Sequence, residues 1–397
     1  MFNQIEEAIV DLQLGKIVIV CDDENRENEG DFVLLAEHAT PENINFLIKY
    51  GRGLVCVPVA EQLSKKLGLS PMVSNNSDIH GTAFTVSVDY KSTTTGISAF
   101  ERSETILAMI DNQSEANDFK KPGHVFPLIA KNEGVFERPG HTEAAVDLAR
   151  LAGSTPAGVI CEIIKDDGTM ARVNDLKKIA DKHQLKMITI KDLIQYRMTN
   201  EVLVKQEVKI NLPTEYGNFQ VVGYSNKRNK DEHIAIIKGK IDSNSVPLVR
   251  IHKQNLLGDV FGSFNTKSSL YLHSIFGEME KYESAVLLYL RKEEKEEELI
   301  RMLKVYKLQE QGFSTNEVDE KLRLNSDYED YHMAAQILKD LGIKQMKLLE
   351  NKRKEVEILK RYDLDIDRMN LHQSNSHIAN HLLFKHSIKK QAQLINK

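Results

Sequence analysis

The chain has 397 residues, 41% of them hydrophobic, and a formal net charge of -5. That length exceeds the usual reach of one hydrophobic core and predicts two domains, and basic residues interspersed with acidic ones, without an aromatic-rich basic stripe, exclude a nucleic-acid footprint. No stretch approaches the ~20 apolar residues that span a bilayer, and the start, Met1-Phe-Asn-Gln-Ile-Glu-Glu7, is acidic where a targeting signal would be basic. Cys21, Cys56 and Cys161 lie in apolar runs without paired spacing, so a cytoplasmic chain with reduced core thiols and no membrane partner is expected.

In chain order, residues 16–21 read as a buried strand. Behind it stand six carboxylates and one guanidinium, Asp22-Asp23-Glu24-Asn25-Arg26-Glu27-Asn28-Glu29-Gly30-Asp31. Carboxylates this close raise one another's pKa unless a cation compensates, which makes a divalent metal an economical explanation; the competing reading is a solvated acidic loop. A strand that empties into a polar turn is where α/β folds place catalytic groups. Thr40-Pro41-Glu42 marks a helix start, with a cap, a proline at the first helical position and an acid in the first turn. Residues 51–59, 83–88 and 157–164 read as strands, being short, β-branched and bounded by turn formers, and 142–152 as a helix.

Several constellations in this half carry chemistry. Ser92 to Ser98 offers hydroxyls on a glycine-containing loop, and His124 stands between Gly123 and the apolar Val125-Phe126-Pro127. Arg138-Pro139-Gly140-His141-Thr142-Glu143 puts a guanidinium, an imidazole and a hydroxyl at a helix N-terminus, which favours a phosphate. Glu162 lies near the end of an apolar run before the turn Asp166-Asp167-Gly168-Thr169.

In register, the motifs at 22–31, 93–99 (Thr-Thr-Thr-Gly-Ile-Ser-Ala), 122–127 (Pro-Gly-His-Val-Phe-Pro), 140–144, 156–162 and 166–171 resemble 3,4-dihydroxy-2-butanone 4-phosphate synthase of riboflavin biosynthesis. The likeness covers residues 1–200. It implies conversion of D-ribulose 5-phosphate into 3,4-dihydroxy-2-butanone 4-phosphate and formate, with Mg2+ or Mn2+, on an α/β homodimer whose sites draw on both subunits. Carried onto this sequence, it implies Glu27 and His141 as metal ligands. Arg26, Glu27, Asp31, Arg138, Pro139, Gly140, His141, Thr142 and Glu162 become substrate contacts, and His124 and Glu162 the residues needed for turnover, proton transfer being their expected role. Asp23 and Glu29 are left between shuttling protons and tuning the field.

Residues 198–208 are polar and aperiodic and read as a linker. A mixed region from 211 to about 260 follows, then a long helical stretch carrying the charge run 291–298. Leu212-Pro-Thr-Glu-Tyr-Gly217, Val249-Arg-Ile-His252, Gly258-Asp-Val-Phe-Gly-Ser263 and Ala335-Gln-Ile-Leu338 resemble GTP cyclohydrolase II. Where that family has three zinc-binding cysteines, this chain has Asn255, Thr266 and Ser268, none of which supplies a thiolate. Its nucleotide loop is replaced by Lys292-Glu-Glu-Lys-Glu296, and its catalytic arginine by Glu329 after Asp327-Tyr328. In the tail, His372, His377, His381 and His386 include an i, i+4 pair, but no Cys or paired acid completes a zinc site, and a solvated tail is expected.

The expectation for the whole chain is an α/β (α+β) two-domain protein, with a mixed-sheet synthase domain at 1–200 and a cyclohydrolase-like α+β domain at 208–397. It is a lyase using Mg2+ or Mn2+ and no Zn2+, its second domain a non-catalytic pseudoenzyme. Bracing a dimer, binding another enzyme of the pathway and sensing a nucleotide stay open as purposes for that domain. The alternatives are a bifunctional enzyme that also has GTP cyclohydrolase II activity and a regulatory or scaffold protein.

Overall fold

The computed structural model describes residues 2–24, 26–229, 231–242, 245–263, 268–291, 298–313, 329–349 and 353–369. Thr266, 292–297, Asp327, Tyr328 and the four tail histidines therefore lie outside the described residues, as does Asn25. The chain divides into two units, Met1–Arg197 and Met198–Lys397.

In the first unit, strands β1 (Val18–Cys21), β2 (Gly30–Leu35), β3 (Cys56–Val59), β4 (Val88–Tyr90), β5 (Phe119–Ile129), β6 (Gly158–Glu162) and β7 (Met187–Thr189) form one mixed sheet in the order β4-β5-β3-β6-β2-β1-β7. Its central strands β1 and β2 are buried on both faces. Alternate residues of β1 and β2 enter two cores. Ile19, Cys21, Phe32 and Leu34 pack with Ile44, Ile106, Met109 and Leu176 on one side. Val18, Val20, Val33 and Leu35 pack with Leu12, Ala145, Leu148 and Leu193 on the other. Each such side chain contributes roughly 1.5–3 kcal/mol by leaving water. The three thiols belong to these cores and are buried; burial pushes Cys21 and Cys161 up to about 12.

The cap at Thr40 forms as read, with its Oγ1 accepting from Asn43 N at 3.3 Å, and α1 (Pro41–Phe46) follows. The helix read at 142–152 is α2 (His141–Leu151). The strand read at 51–59 is confined to β3, since the chain winds on through Gly51 and leaves the helix at Arg52 with φ 66°. Of 83–88 only Val88 is in a strand; Phe84 and Thr85 make isolated bridges to Leu128 and Pro71.

The segment read as a linker is mostly regular structure: α3 (Ile190–Asn200) enters it and β8 (Val204–Thr214) leaves it. Residues 205–213 of β8 are exposed, so their polarity reflects an uncovered edge strand where a loop had been inferred.

In the second unit, β8, β9 (Gly217–Asn226), β10 (Glu232–Lys238), β11 (Leu248–Lys253), β12 (Ala285–Leu290), β13 (Gln345–Leu349) and β14 (Asp365–Met369) form a sheet ordered β14-β13-β11-β12-β10-β9-β8. It is antiparallel from β8 to β12 and parallel from β12 to β14. The helical stretch expected here is broken by β12, whose run Ala-Val-Leu-Leu-Tyr-Leu is buried almost throughout. A short apolar run carries no period that separates strand from helix. Among the described residues, no helix is long and apolar enough to cross a membrane.

One buried ion pair fixes the turn that leads into α2. Asp147 Oδ2 accepts from Arg197 Nη1 at 2.6 Å and from Val135 N at 2.8 Å, and Arg197 also donates to Glu133 O at 3.0 Å. Removing one partner of such a pair costs about 3 kcal/mol or more. Arg197→Ala is expected to destabilise the first unit by about that amount, seen as faster amide hydrogen exchange in α2 and α3 of the full chain. Arg197→Lys should recover part of it.

Candidate active site and metal centre

The acidic run is the turn between β1 and β2, which pair Cys21 with Gly30. It is wound around one carboxylate: Asp22 Oδ2 accepts from Glu27 N at 3.0 Å and Arg26 Nη1 at 3.0 Å, and Asp22 Oδ1 from Glu29 N at 2.8 Å. Asn28 takes the left-handed conformation, φ 55°, that reverses the chain. Arg172 clamps the outside, donating to Glu27 O at 2.8 Å and to Asn28 O. Two guanidiniums thus offset part of the charge.

The remainder converges on Glu27, Asp31, His141 and Glu162. Asp31 faces Glu162 across β2 and β6. It is 3% exposed and its Oδ1 has no hydrogen-bond partner. Burial, then the neighbouring Glu162, Glu27, Glu29 and Asp22 carboxylates, hold Asp31 well above the usual range; burial and Glu27 also raise Glu29. Glu162 Oε2 accepts from Leu54 N at 2.8 Å, and Gly53 lies so close that a Cβ there would come within 2.4 Å of this oxygen.

His141 opens α2 and is buried. Its Nε2 lies 3.1 Å from Val20 O, so Nε2–H donates there and Nδ1 is left with a lone pair. That nitrogen lies 3.8 Å from Glu27 Oε2 and 3.8 Å from Asp31 Oδ1. Burial lowers the His141 pKa, favouring the neutral ring that a metal requires. Atoms of Asp22, Glu27 and His141 lie within 4.8 Å of one another. The donor set, hard carboxylates with one imidazole and an orphaned buried Asp31 oxygen, fits a divalent cation. Asp22 already accepts three hydrogen bonds within the turn and serves as its anchor.

Arg138 is braced: Nη1 donates to Glu143 Oε2 at 2.6 Å, Nη2 to Thr82 Oγ1 at 2.9 Å and Nε to His80 O at 2.8 Å. Pro139 and Gly140 make the tight entry to α2, with Gly140 at its N-cap, and Thr142 is buried in the first turn. Arg26, Glu27, Asp31, His141 and Glu162 are therefore brought together, with Arg138 to Thr142 beside them.

His124 stands apart, on β5, which β3 separates from β6. Its Nδ1 lies 2.7 Å from Asp89 Oδ2 and its N donates to Asp89 Oδ1 at 2.8 Å. The loop 93–96 backs this pair. It is wound on Glu101, which accepts from Thr94 N at 2.6 Å and Thr94 Oγ1 at 2.7 Å; these bonds pull Glu101 down to about 2. Gly96, with φ 78°, fits against Asp89 where any Cβ would collide. The sequence reading missed Asp89, Arg172 and His80, which lie outside the motifs and meet the site only through sheet register and loop closure.

In the second unit, Asn255 caps the short helix Leu256–Asp259, its Oδ1 accepting from Gly258 N at 2.8 Å. His252 Nε2 lies 3.0 Å from Asp259 Oδ1, and Tyr289 OH donates to Asp259 Oδ2 at 2.8 Å. Ser268 opens the helix Ser268–Met279.

The model of the 3,4-dihydroxy-2-butanone 4-phosphate synthase family matches residues 6–196, and that of GTP cyclohydrolase II matches residues 205–370. Riboflavin biosynthesis protein RibBA of Bacillus mycoides (strain KBAB4) is 55% identical over 366 residues, 92% of each chain. This chain belongs to the RibBA family. The RibBA of Bacillus cereus (strain B4264) is likewise 55% identical over 92% of each chain. The crystal structure of RibBX, a two domain 3,4-dihydroxy-2-butanone 4-phosphate synthase from A. baumannii, is 36% identical, with a TM-score of 0.70 over 94% of this chain and 100% of that one.

The chain is thus a two-domain mixed α/β protein with the synthase and cyclohydrolase II domains fused. The RibBA likeness across both domains and the cyclohydrolase II match correct the expectation of a degenerate, non-catalytic second domain. That expectation inferred lost chemistry from a few substituted positions. Of these only Asn255 has a described side chain; Thr266, 292–296, Asp327 and Tyr328 lie outside the described residues. Zinc is accordingly not excluded from that domain.

The raised Asp31 pKa has a consequence for stability. The folded chain holds a proton that the unfolded chain has released, so Asp31 costs stability as pH rises from the usual carboxylate range through the raised value. Asp31→Asn is expected to raise the melting temperature in EDTA, more at pH 8 than at pH 5, measured by differential scanning calorimetry.

Proposed function

We propose that the chain is a bifunctional enzyme of riboflavin biosynthesis. Its first unit converts D-ribulose 5-phosphate into 3,4-dihydroxy-2-butanone 4-phosphate and formate with Mg2+ or Mn2+, and its second acts on GTP as a cyclohydrolase II. The observation that carries the first half is the His141 Nδ1 lone pair directed at Glu27 Oε2 and the orphaned Asp31 oxygen. The two products together hold all the atoms of the substrate, so the reaction needs no oxidant. It needs proton carriers and a means of polarising vicinal oxygens.

Glu27 and His141 would hold the ion, which when bound polarises the substrate's vicinal oxygens. Arg26 and Asp31 bind hydroxyls beside it, and the segment Arg138 to Thr142 takes the phosphate at the start of α2. Glu162, fixed by Leu54 N, faces the same space and moves a proton at its free oxygen. His124, held at Nδ1 by Asp89, presents Nε2 as a second proton carrier. Its place on β5, away from the acidic turn, supports a homodimer in which each site draws on both protomers.

For the second half, the family match and the RibBA relatives are the support. Asn255, Thr266 and Ser268 offer no thiolate, so any metal there would be bound by other donors, and GTP turnover has to be assayed with and without added Zn2+.

The first unit is tested by formate release from ribulose 5-phosphate: activity is expected with Mg2+ and not in EDTA, and Glu27→Gln should lower kcat/KM by at least about 100-fold. Asp89→Asn is expected to lower kcat about 10- to 100-fold with little change in KM, since it unseats a proton carrier. Absence of GTP turnover under both zinc conditions would sink the second half and leave the first standing.

A further inference from the structure

The turn from Asn76 to Thr82 belongs to no motif, yet it is closed by its own bonds and delivers an imidazole to the acidic site. Asp78 Oδ2 accepts from Thr82 N at 2.8 Å, Asn76 Nδ2 donates to Thr82 O at 2.9 Å, Asp78 N to Asn76 Oδ1 at 2.9 Å, and Gly81 supplies the left-handed step with φ 65°. Arg138 grips the turn twice from the site side, through His80 O and Thr82 Oγ1. Ile79 at its tip is 95% exposed, and the neighbouring His80, itself still 38% exposed, puts Nδ1 3.7 Å from Glu27 Oε1.

The two oxygens of Glu27 have different surroundings. Oε1 meets Arg26 Nη2 at 2.9 Å and His80, while Oε2 looks toward His141. We propose that His80 is a positioning residue of the metal centre: its Nδ1 faces Glu27 Oε1 at 3.7 Å, beyond direct hydrogen-bond range, and adds to the closer grip of Arg26 Nη2, so that Oε2 stays turned toward the His141 nitrogen as a ligand. Outer partners of this kind fix the rotamer of a ligating carboxylate, and their loss weakens metal binding or activity by about 10- to 100-fold. The inference rests on the reading of Glu27 and His141 as ligands. It adds a coupling, since Arg138 on the phosphate side and His80 on the metal side meet in one turn.

The test uses the full chain, with Mn2+ titrated and free Mn2+ read by electron paramagnetic resonance. His80→Ala is expected to weaken Mn2+ binding about 10-fold, with an unchanged melting temperature. His80→Asn, which keeps an N–H near the Nδ1 position, is expected to restore most of it. In the formate assay, His80→Ala should raise the Mn2+ concentration needed for half-maximal rate in the same proportion. Unchanged Mn2+ affinity in His80→Ala overturns the proposal, as does equal loss in both variants with a lowered melting temperature, which would report a damaged turn. If Mn2+ affinity depends on His80 as expected but the parent chain releases no formate, the positioning role stands and the synthase reading fails.

Discussion

The Asp22 carboxylate is the contact on which the first unit's chemistry depends. It gathers two backbone N–H groups and the Arg26 guanidinium. Hydrogen bonds to an ionised group are each worth roughly 1.5–3 kcal/mol, enough to offset the repulsion of bringing further acids into one turn. With that turn closed, Glu27 and Asp31 both face the Nδ1 side of the His141 ring. Arg172 and Arg138 then brace the two loops that flank this group.

A carboxylate cluster assembled in this way retains excess negative charge. Asp31, its pKa raised by burial and the neighbouring carboxylates, is one place this imbalance shows, and a divalent ion is the other way to offset it. Folding stability and metal affinity therefore draw on the same electrostatic imbalance, and substitutions that relieve one weaken the other.

Much of this was legible in the sequence. The acidic run behind a strand, the Thr40 cap and the helix opened by His141 each rest on local chemistry that a few adjacent residues determine. The starts of the strands at 51–59 and 83–88 did not follow, because tertiary packing delays both β3 and β4. Asp89 and His80 were invisible for a similar reason: register and turn closure bring them to their partners, and neither leaves a local pattern. In the second unit, β8 resembled a linker because an uncovered edge strand has the composition of a loop, and β12 resembled helix because a fully buried strand has no alternation. The reading of a dead cyclohydrolase domain erred in kind. It weighed individual donors, while the family relation lies in the pattern of the whole domain.

The thiols of Cys21, Cys56 and Cys161 sit on β1, β3 and β6, strands of the one sheet that carries the acidic turn and Glu162. Buried, and with thiolate formation suppressed, they are shielded from alkylating reagents for as long as the sheet stays closed. Their modification rate is thus an intrinsic clock for sheet opening, and a cation that tightens the neighbouring turn would slow it without any reporter having to be introduced.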